Sequence, residues 1–122
     1  MRDMPGAEDV EAIHAVVLDY VEGWFDGDGG RMQRALQPEL VKRSRDERSG
    51  IRTLSARQMI DATVEGEGRR EDADDRRIEI EIEHVSGDIA SVTCLCHLYV
   101  DLLHLIRGPD GWKIVNAAWR WR

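Results

Sequence analysis

Residues 99–122 read YVDLLHLIRGPDGWKIVNAAWRWR, and the fold turns on how they are read. Leucine content alone would make 99–107 a helix. β-branched and aromatic residues surround it, however, and Gly108-Pro109-Asp110-Gly111 is a tight reversal, so the stretch reads as a hairpin with a final strand over 112–122. Placing Arg107 opposite Trp112 sets Leu105 against Ile114, Leu103 against Asn116 and Asp101 against Ala118. Alternation then gathers Tyr99, Asp101, Leu103, Leu105, Ile114, Asn116 and Ala118 on one face. Val100, Leu102, His104, Ile106, Val115, Ala117, Trp119 and Trp121 fall on the other. This assignment hangs on register, since a slip of one residue exchanges the faces.

Upstream of the hairpin, Ile78, Ile80 and Ile82 alternate with Glu79, Glu81 and Glu83, the period of a half-exposed strand. Ser86-Gly87-Asp88 is a turn, and 89–98 form the next strand. Before these the period is helical. Val10, Ile13, Val17, Tyr20, Val21 and Trp24 make one apolar stripe over 8–25, with Glu8, Asp9 and Glu11 at the positive end of the helix dipole. Gly27-Asp28-Gly29-Gly30 stops this helix. A short second helix covers Arg31 to Leu36, and Pro38 ends it or opens a further turn. Residues 40–54 are ambiguous, with a small irregular hairpin around Glu47 to Gly50 as one reading. Ser55 followed by Gln58 is a capping box, flanked by the apolar pair Leu54 and Met59, and predicts a third helix over 56–65. Residues 66–76 have little to bury and read as an exposed, mobile loop.

The expected architecture is a single α+β domain over residues 1–122, with helices first and a curved antiparallel sheet after them. The chain has 122 residues, of which 42% are hydrophobic and 34% charged, a balance suited to one core and a modest cavity. The net charge of −7 argues against a general nucleic-acid binder. Lys42, Arg43, Arg45 and Arg48 form a local basic run, read here as a solvated turn. Cys94 and Cys96 lie two apart in a strand and are expected as buried free thiols in a reducing, cytoplasmic setting. The N-terminal MRDMPGAEDVEA lacks the apolar core of a leader, and no uncharged apolar window is long enough for a membrane span.

Both faces of the C-terminal hairpin are substantially apolar, so each needs a cover. One packs on the helices. The other, with His104, Val115, Trp119 and Trp121, is expected to meet a second copy in a homodimer. The helix-facing side encloses a cone lined by Tyr20, Trp24, Tyr99, Asp101 and Asn116. A carboxylate held among aromatic groups becomes a better proton acceptor by desolvation, which makes Asp101 the candidate catalytic residue. Tyr20, Trp24, Tyr99 and Asn116 are candidate ligand-binding residues. The bland alternative has Asp101 capping a bulge and Asn116 satisfying an inner polar network. Cys94, Cys96, His97 and His104 invite a zinc reading, but neighbouring strand residues point to opposite faces and no CxxC pair is present, so no metal is expected. No phosphate loop, nucleophile elbow or HExxH occurs, and no cofactor is expected.

The segments DYVEGWFDGDGGRM (19–32), LSARQMIDA (54–62) and above all DLLHLIRGPDGWKIVNAAWRW (101–121) resemble the nuclear transport factor 2-like superfamily. Within it the chain looks like the putative lumazine-binding family, near the polyketide-cyclase-like and ketosteroid-isomerase-like branches. The resemblance spans nearly the whole chain and implies a cone of helices packed into a strongly bent sheet, usually dimeric. It implies a fold more than an activity. In the isomerase-like branch an aspartate in the cone acts as base, with a tyrosine and an acid binding the enolate. Asp101 suits the basic role, but the strands offer no second obvious buried acid. The expectation is therefore a small-molecule-binding protein with a conical apolar pocket. The alternatives are a cofactor-free isomerase, dehydratase or cyclase using Asp101 as general base, and a non-enzymatic dimeric interaction module.

Overall fold

A computed structural model describes residues 6–69 and 76–122. The first helix, α1 (Ala7–Asp26), buries Ile13, Val17, Tyr20 and Val21, the middle of the expected stripe, while Val10 at its start stays exposed. It ends where Gly27 turns left-handed at φ 68° and donates its backbone N–H to the carbonyl of Trp24. Asp28 then caps α2 (Gly29–Ala35) by accepting from the N–H of Arg31. The chain passes directly into β1 (Leu36–Asp46), which forms a hairpin with β2 (Gly50–Ser55) around residues 47–49. Pro38 therefore opens neither a turn nor a helix. It sits in the stretch between Leu36 and Val41 where β1 has an irregular register, a place that tolerates its missing N–H.

The helix α3 (Ala56–Val64) begins at the expected capping box, with Ser55 Oγ accepting from Gln58 N–H and Gln58 Oε1 accepting from Ser55 N–H. The 66–76 loop is described only at its ends, and residues 70–75 lie outside the described residues. The remaining strands are β3 (Glu79–Ser86), β4 (Ile89–Leu95), β5 (Tyr99–Gly108) and β6 (Gly111–Trp121). β4 stops short of the expected residue 98. Cys96 Sγ accepts from the N–H groups of Leu98 and Tyr99 and folds the chain into a bend there.

One six-stranded sheet runs in the order β2-β1-β6-β5-β4-β3. Every pair is antiparallel except β1 and β6, which run parallel and join the N-terminal hairpin to the C-terminal meander. Three register shifts, in β1–β6, β3–β4 and β5–β6, bend the sheet around the helices. The core is centred on Ile13, Met32, Leu103, Leu105 and Ile114, all essentially inaccessible to water. At the closed end of the sheet, Trp112 Nε1 and Arg107 both donate to Asp9 and fasten the start of α1 to the β5–β6 turn. No helix among the described residues is long and apolar enough to cross a membrane.

The expected β5–β6 register holds only at its turn end. Arg107 faces Trp112 and Leu105 faces Ile114, but His104 then faces Asn116, leaving Val115 as an extra residue in β6. Beyond this bulge Leu103 pairs with Ala117 and Asp101 with Trp119, one residue out of the expected register. Every face assignment beyond the bulge reverses: Ala117 turns inward opposite Leu103, Ala118 turns outward opposite Leu102, and the site residues move with them. Asn116 leaves the cone and meets His104 on the outer face, with 3.1 Å between Asn116 Nδ2 and His104 Nδ1. Trp119 and Trp121 leave the outer face, where they were expected to anchor a dimer, and turn toward the helices.

Candidate functional site

Tyr20 is on the buried stripe of α1, one turn after Val17, so helical periodicity alone aims its ring at the sheet. Across from it, alternation along β5 turns Asp101 inward between Tyr99 and Leu103. The Tyr20 hydroxyl donates to Asp101 Oδ1 at 2.8 Å. A third member arrives from β1. Lys42 is paired with the inward Ala117 and lies two residues beyond the buried Leu40, so its side chain also points inward. Its Nζ donates to the Tyr20 hydroxyl oxygen and stands 3.7 Å from Asp101 Oδ1. Only 11% of the Lys42 side chain and 8% of that of Asp101 reach solvent, so this is a buried ion pair bridged by a phenol.

The electrostatics follow from that burial. Desolvation pushes the Lys42 ammonium below the usual lysine range, and the Asp101 charge only partly offsets it. Tyr20 is driven well above the ordinary phenol value, first by burial and then by the neighbouring carboxylate, so it stays a hydroxyl. Lys42 is also flanked by rings, 5.0 Å from the centroid of Tyr20 and 5.3 Å from that of Trp119.

This cluster forms part of the wall of a cavity of about 390 Å³ between α1, α3 and the sheet. That is toward the small end of the range for small-molecule sites, about 300–1,000 Å³. Trp24, Tyr99 and Trp119 supply flat aromatic wall, and Leu54 and Met59 supply aliphatic surface. Trp24 Nε1 lies 3.4 Å from the Tyr99 hydroxyl, which holds these two rings in a fixed relation. Tyr99, Trp119 and Trp121 form an edge-and-tilt cluster with centroids 4.9–5.6 Å apart. Arg52, Gln58, Asp61 and Glu65 complete the lining with polar groups. Gly68, in the turn after α3, backs Trp24 so closely that a Cβ there would lie 2.4 Å from the indole.

Of the residues expected from sequence, Tyr20, Trp24, Tyr99 and Asp101 meet on this one cavity, and Asn116 does not. Lys42 was assigned to a solvated basic turn and is instead the buried cation of the site. Its signal was present in the spacing: Leu40 and Lys42 share a strand face, and Leu40 is strongly apolar. The charge of the KRSR run masked that alternation. Trp119 was missed through the Val115 bulge, which no periodicity announces.

The architecture has solved counterparts. An NTF2-like protein of unknown function from Silicibacter pomeroyi is 22% identical, the match covering 98% of this chain and 100% of that one, with a TM-score of 0.78. An NTF2-like protein of unknown function from Methylobacillus flagellatus is 17% identical over 100% of this chain and 98% of that one, with a TM-score of 0.72. A ketosteroid isomerase-like protein from Erwinia carotovora is 12% identical over 95% and 98%, with a TM-score of 0.65. At these identities the likeness is one of fold. No curated protein matches the chain. The family model described as putative lumazine-binding matches residues 8–120, and the chain belongs to that family.

Proposed function

We propose that the protein binds a small, flat, largely apolar molecule in the cavity and orients it by one polar edge at Lys42, Tyr20 and Asp101. The observation that carries this reading is the division of the wall: aromatic and aliphatic surface over most of it, and one buried polar cluster. The family description supports the flat shape, since lumazine is a planar bicyclic heterocycle, though one that is polar around its rim. Naphthol and lumazine are the probes, followed by quenching of tryptophan emission. Saturable quenching that is lost in Ala62→Phe, which projects a ring from α3 into the cavity, is the expected result. Quenching that never saturates, or that survives Ala62→Phe unchanged, overturns it.

The alternative role for Asp101, as the base of an isomerase, dehydratase or cyclase, is less favoured by the geometry. Tyr20 donates to Oδ1 and Lys42 faces the same oxygen, so that oxygen is engaged before any substrate enters.

The partner we propose is a second copy of the chain, seated on the outer sheet face. Leu102, Ile106 and Ile89 are 54%, 44% and 53% exposed there, beside Val115 and His104. The face is also charged asymmetrically. Glu79 and Glu81 stand on the β3 edge, and Arg43, Arg45 and Arg120 toward the other. A twofold axis parallel to the strands sets each acidic edge over the partner's basic edge. Light scattering should report a dimer that Leu102→Glu converts to a folded monomer. A wild-type monomer at tens of micromolar, the range over which a weak dimer would still form, rules it out.

A further inference from the structure

The chain has two lysines, Lys42 and Lys113, against fifteen arginines. Where only positive charge is required, this sequence uses arginine. Arginine also forms the better buried ion pair, because its planar fork meets a carboxylate bidentately. Yet the buried cation facing Asp101 is a lysine, and it meets the carboxylate with one 3.7 Å contact. What lysine offers and arginine does not is an amine that can give up its proton and act as a nucleophile. Its surroundings suit that use. Lys42 lines an aromatic cavity, with a hydroxyl in hydrogen-bond contact and a carboxylate behind it. Lys113, by contrast, donates to the backbone carbonyl of Arg34 at the surface.

We propose that Lys42 is a carbonyl-capturing amine, and that the cavity takes an aromatic aldehyde or ketone as a reversible imine on Nζ. The inference rests on the cavity reading above and names the class of molecule for that site. The Lys42 ammonium passes one proton to the Asp101 carboxylate, directly or through the Tyr20 hydroxyl. The freed lone pair forms a bond to the carbonyl carbon while the C=O π pair moves to oxygen, which takes up the second ammonium proton to give a neutral carbinolamine. Asp101 returns its proton to that hydroxyl, the C–O bond breaks, and water leaves as the nitrogen lone pair closes the C=N bond. Ammonium and carbonyl have become iminium and water, with no oxidant or reductant consumed. Charge is conserved at Nζ, so Asp101 keeps a cation opposite it before and after. This matters because an unpaired buried carboxylate is strongly destabilising. Burial, which lowers the pKa of Lys42, supports the step by raising the share of free amine.

Reductive trapping tests the proposal. The full chain is incubated with naphthaldehyde and cyanoborohydride, and the adduct is located by peptide mass mapping. With only two lysines, Lys113 serves as the internal control. Labelling at Lys42 should outrun labelling at Lys113 severalfold, because the cavity holds the aldehyde beside Nζ and burial favours the free amine. Naphthol, which has the same ring and no carbonyl, should protect Lys42 without becoming attached. If naphthol binds but Lys42 reacts no faster than Lys113, imine capture is wrong and the pocket stands. If naphthol does not bind and Lys42 stays unlabelled, both readings fall.

Discussion

Trp119 faces Asp101 across β5 and β6, and it does so because Val115 is an extra residue in β6. Without the bulge that position would belong to Ala118, and the polar cluster would have no aromatic wall on this side. The indole Nε1 of Trp119 is buried and has no hydrogen-bond partner among the described residues. A buried unsatisfied donor costs about 1–3 kcal/mol, so the ring is retained against a penalty. Trp119→Phe removes that donor and keeps an aromatic ring over Lys42. We expect this substitution to cost less than about 1 kcal/mol in urea unfolding, well short of the 3–5 kcal/mol typical of losing a whole buried Trp side chain.

The Lys42–Asp101 pair should behave asymmetrically. Lys42→Met leaves a buried carboxylate uncompensated and should destabilise the fold by about 3–5 kcal/mol. Replacing both, as Lys42→Met with Asp101→Leu, should recover part of that loss, because the desolvation of both charges disappears together while the buried Tyr20 hydroxyl loses both of its partners. Equilibrium unfolding of the two single variants and the double variant measures the coupling. Additive losses would mean that the two groups do not interact.

Alkaline pH should destabilise the protein. Cys94 and Tyr20 both have folded-state pKa values raised above their ordinary 9.0 and 10.0. The unfolded chain therefore sheds their protons first, and each removes up to about 1.4 kcal/mol per pH unit above its ordinary value. Lys42 acts oppositely. Its folded pKa lies below 10.5, so its contribution rises with pH until the unfolded lysine is also neutral. Cys94 acts first, from about pH 9, and is offset by Lys42 until Tyr20 joins it near pH 10, after which two groups oppose one. The urea midpoint should fall between about pH 10 and pH 11, and less steeply in Cys94→Ala. A midpoint flat across that range would contradict the buried placement of both groups.

The turn after α3 should report on the cavity wall. Gly68→Ala puts a methyl group 2.4 Å from the Trp24 indole, so the ring or the turn must move. We expect a loss of about 1–3 kcal/mol, as for overpacking elsewhere, with a shift in tryptophan emission. Ser55→Ala, at the capping box of α3, should cost about 1 kcal/mol and leave that emission unchanged.

The sequence was most legible where one local rule governs. The α1 stripe, the Ser55–Gln58 box, the isoleucine–glutamate alternation of β3 and the Gly108–Gly111 reversal each depend on neighbours a few residues apart, and each element is present. Two features depend on distant partners instead. Lys42 points inward through its pairing with Ala117, seventy-five positions away, and the charge of KRSR hides the faint Leu40–Lys42 alternation that agrees with it. The Val115 bulge turns on how β6 accommodates both β5 and β1 in a bent sheet, which hydrophobic periodicity does not register. One such shift was enough to move Asn116 out of the expected site and Trp119 into it.

The parallel pairing of β1 with β6 also governs when the site comes into being. Lys42 belongs to the first strand and Asp101 to the fifth, and the only strand lying between them in the sheet is the sixth. As the chain emerges from the ribosome, α1, α2, the β1–β2 hairpin and α3 have local partners, while the seam that brings ammonium to carboxylate awaits residues 111–121. Contacts closing so long a loop are late and slow to form. A folding intermediate lacking β6 would hold the lysine and the aspartate on separate pieces, each still solvated. Ligand binding, the last property acquired, would then be a sensitive report of complete folding.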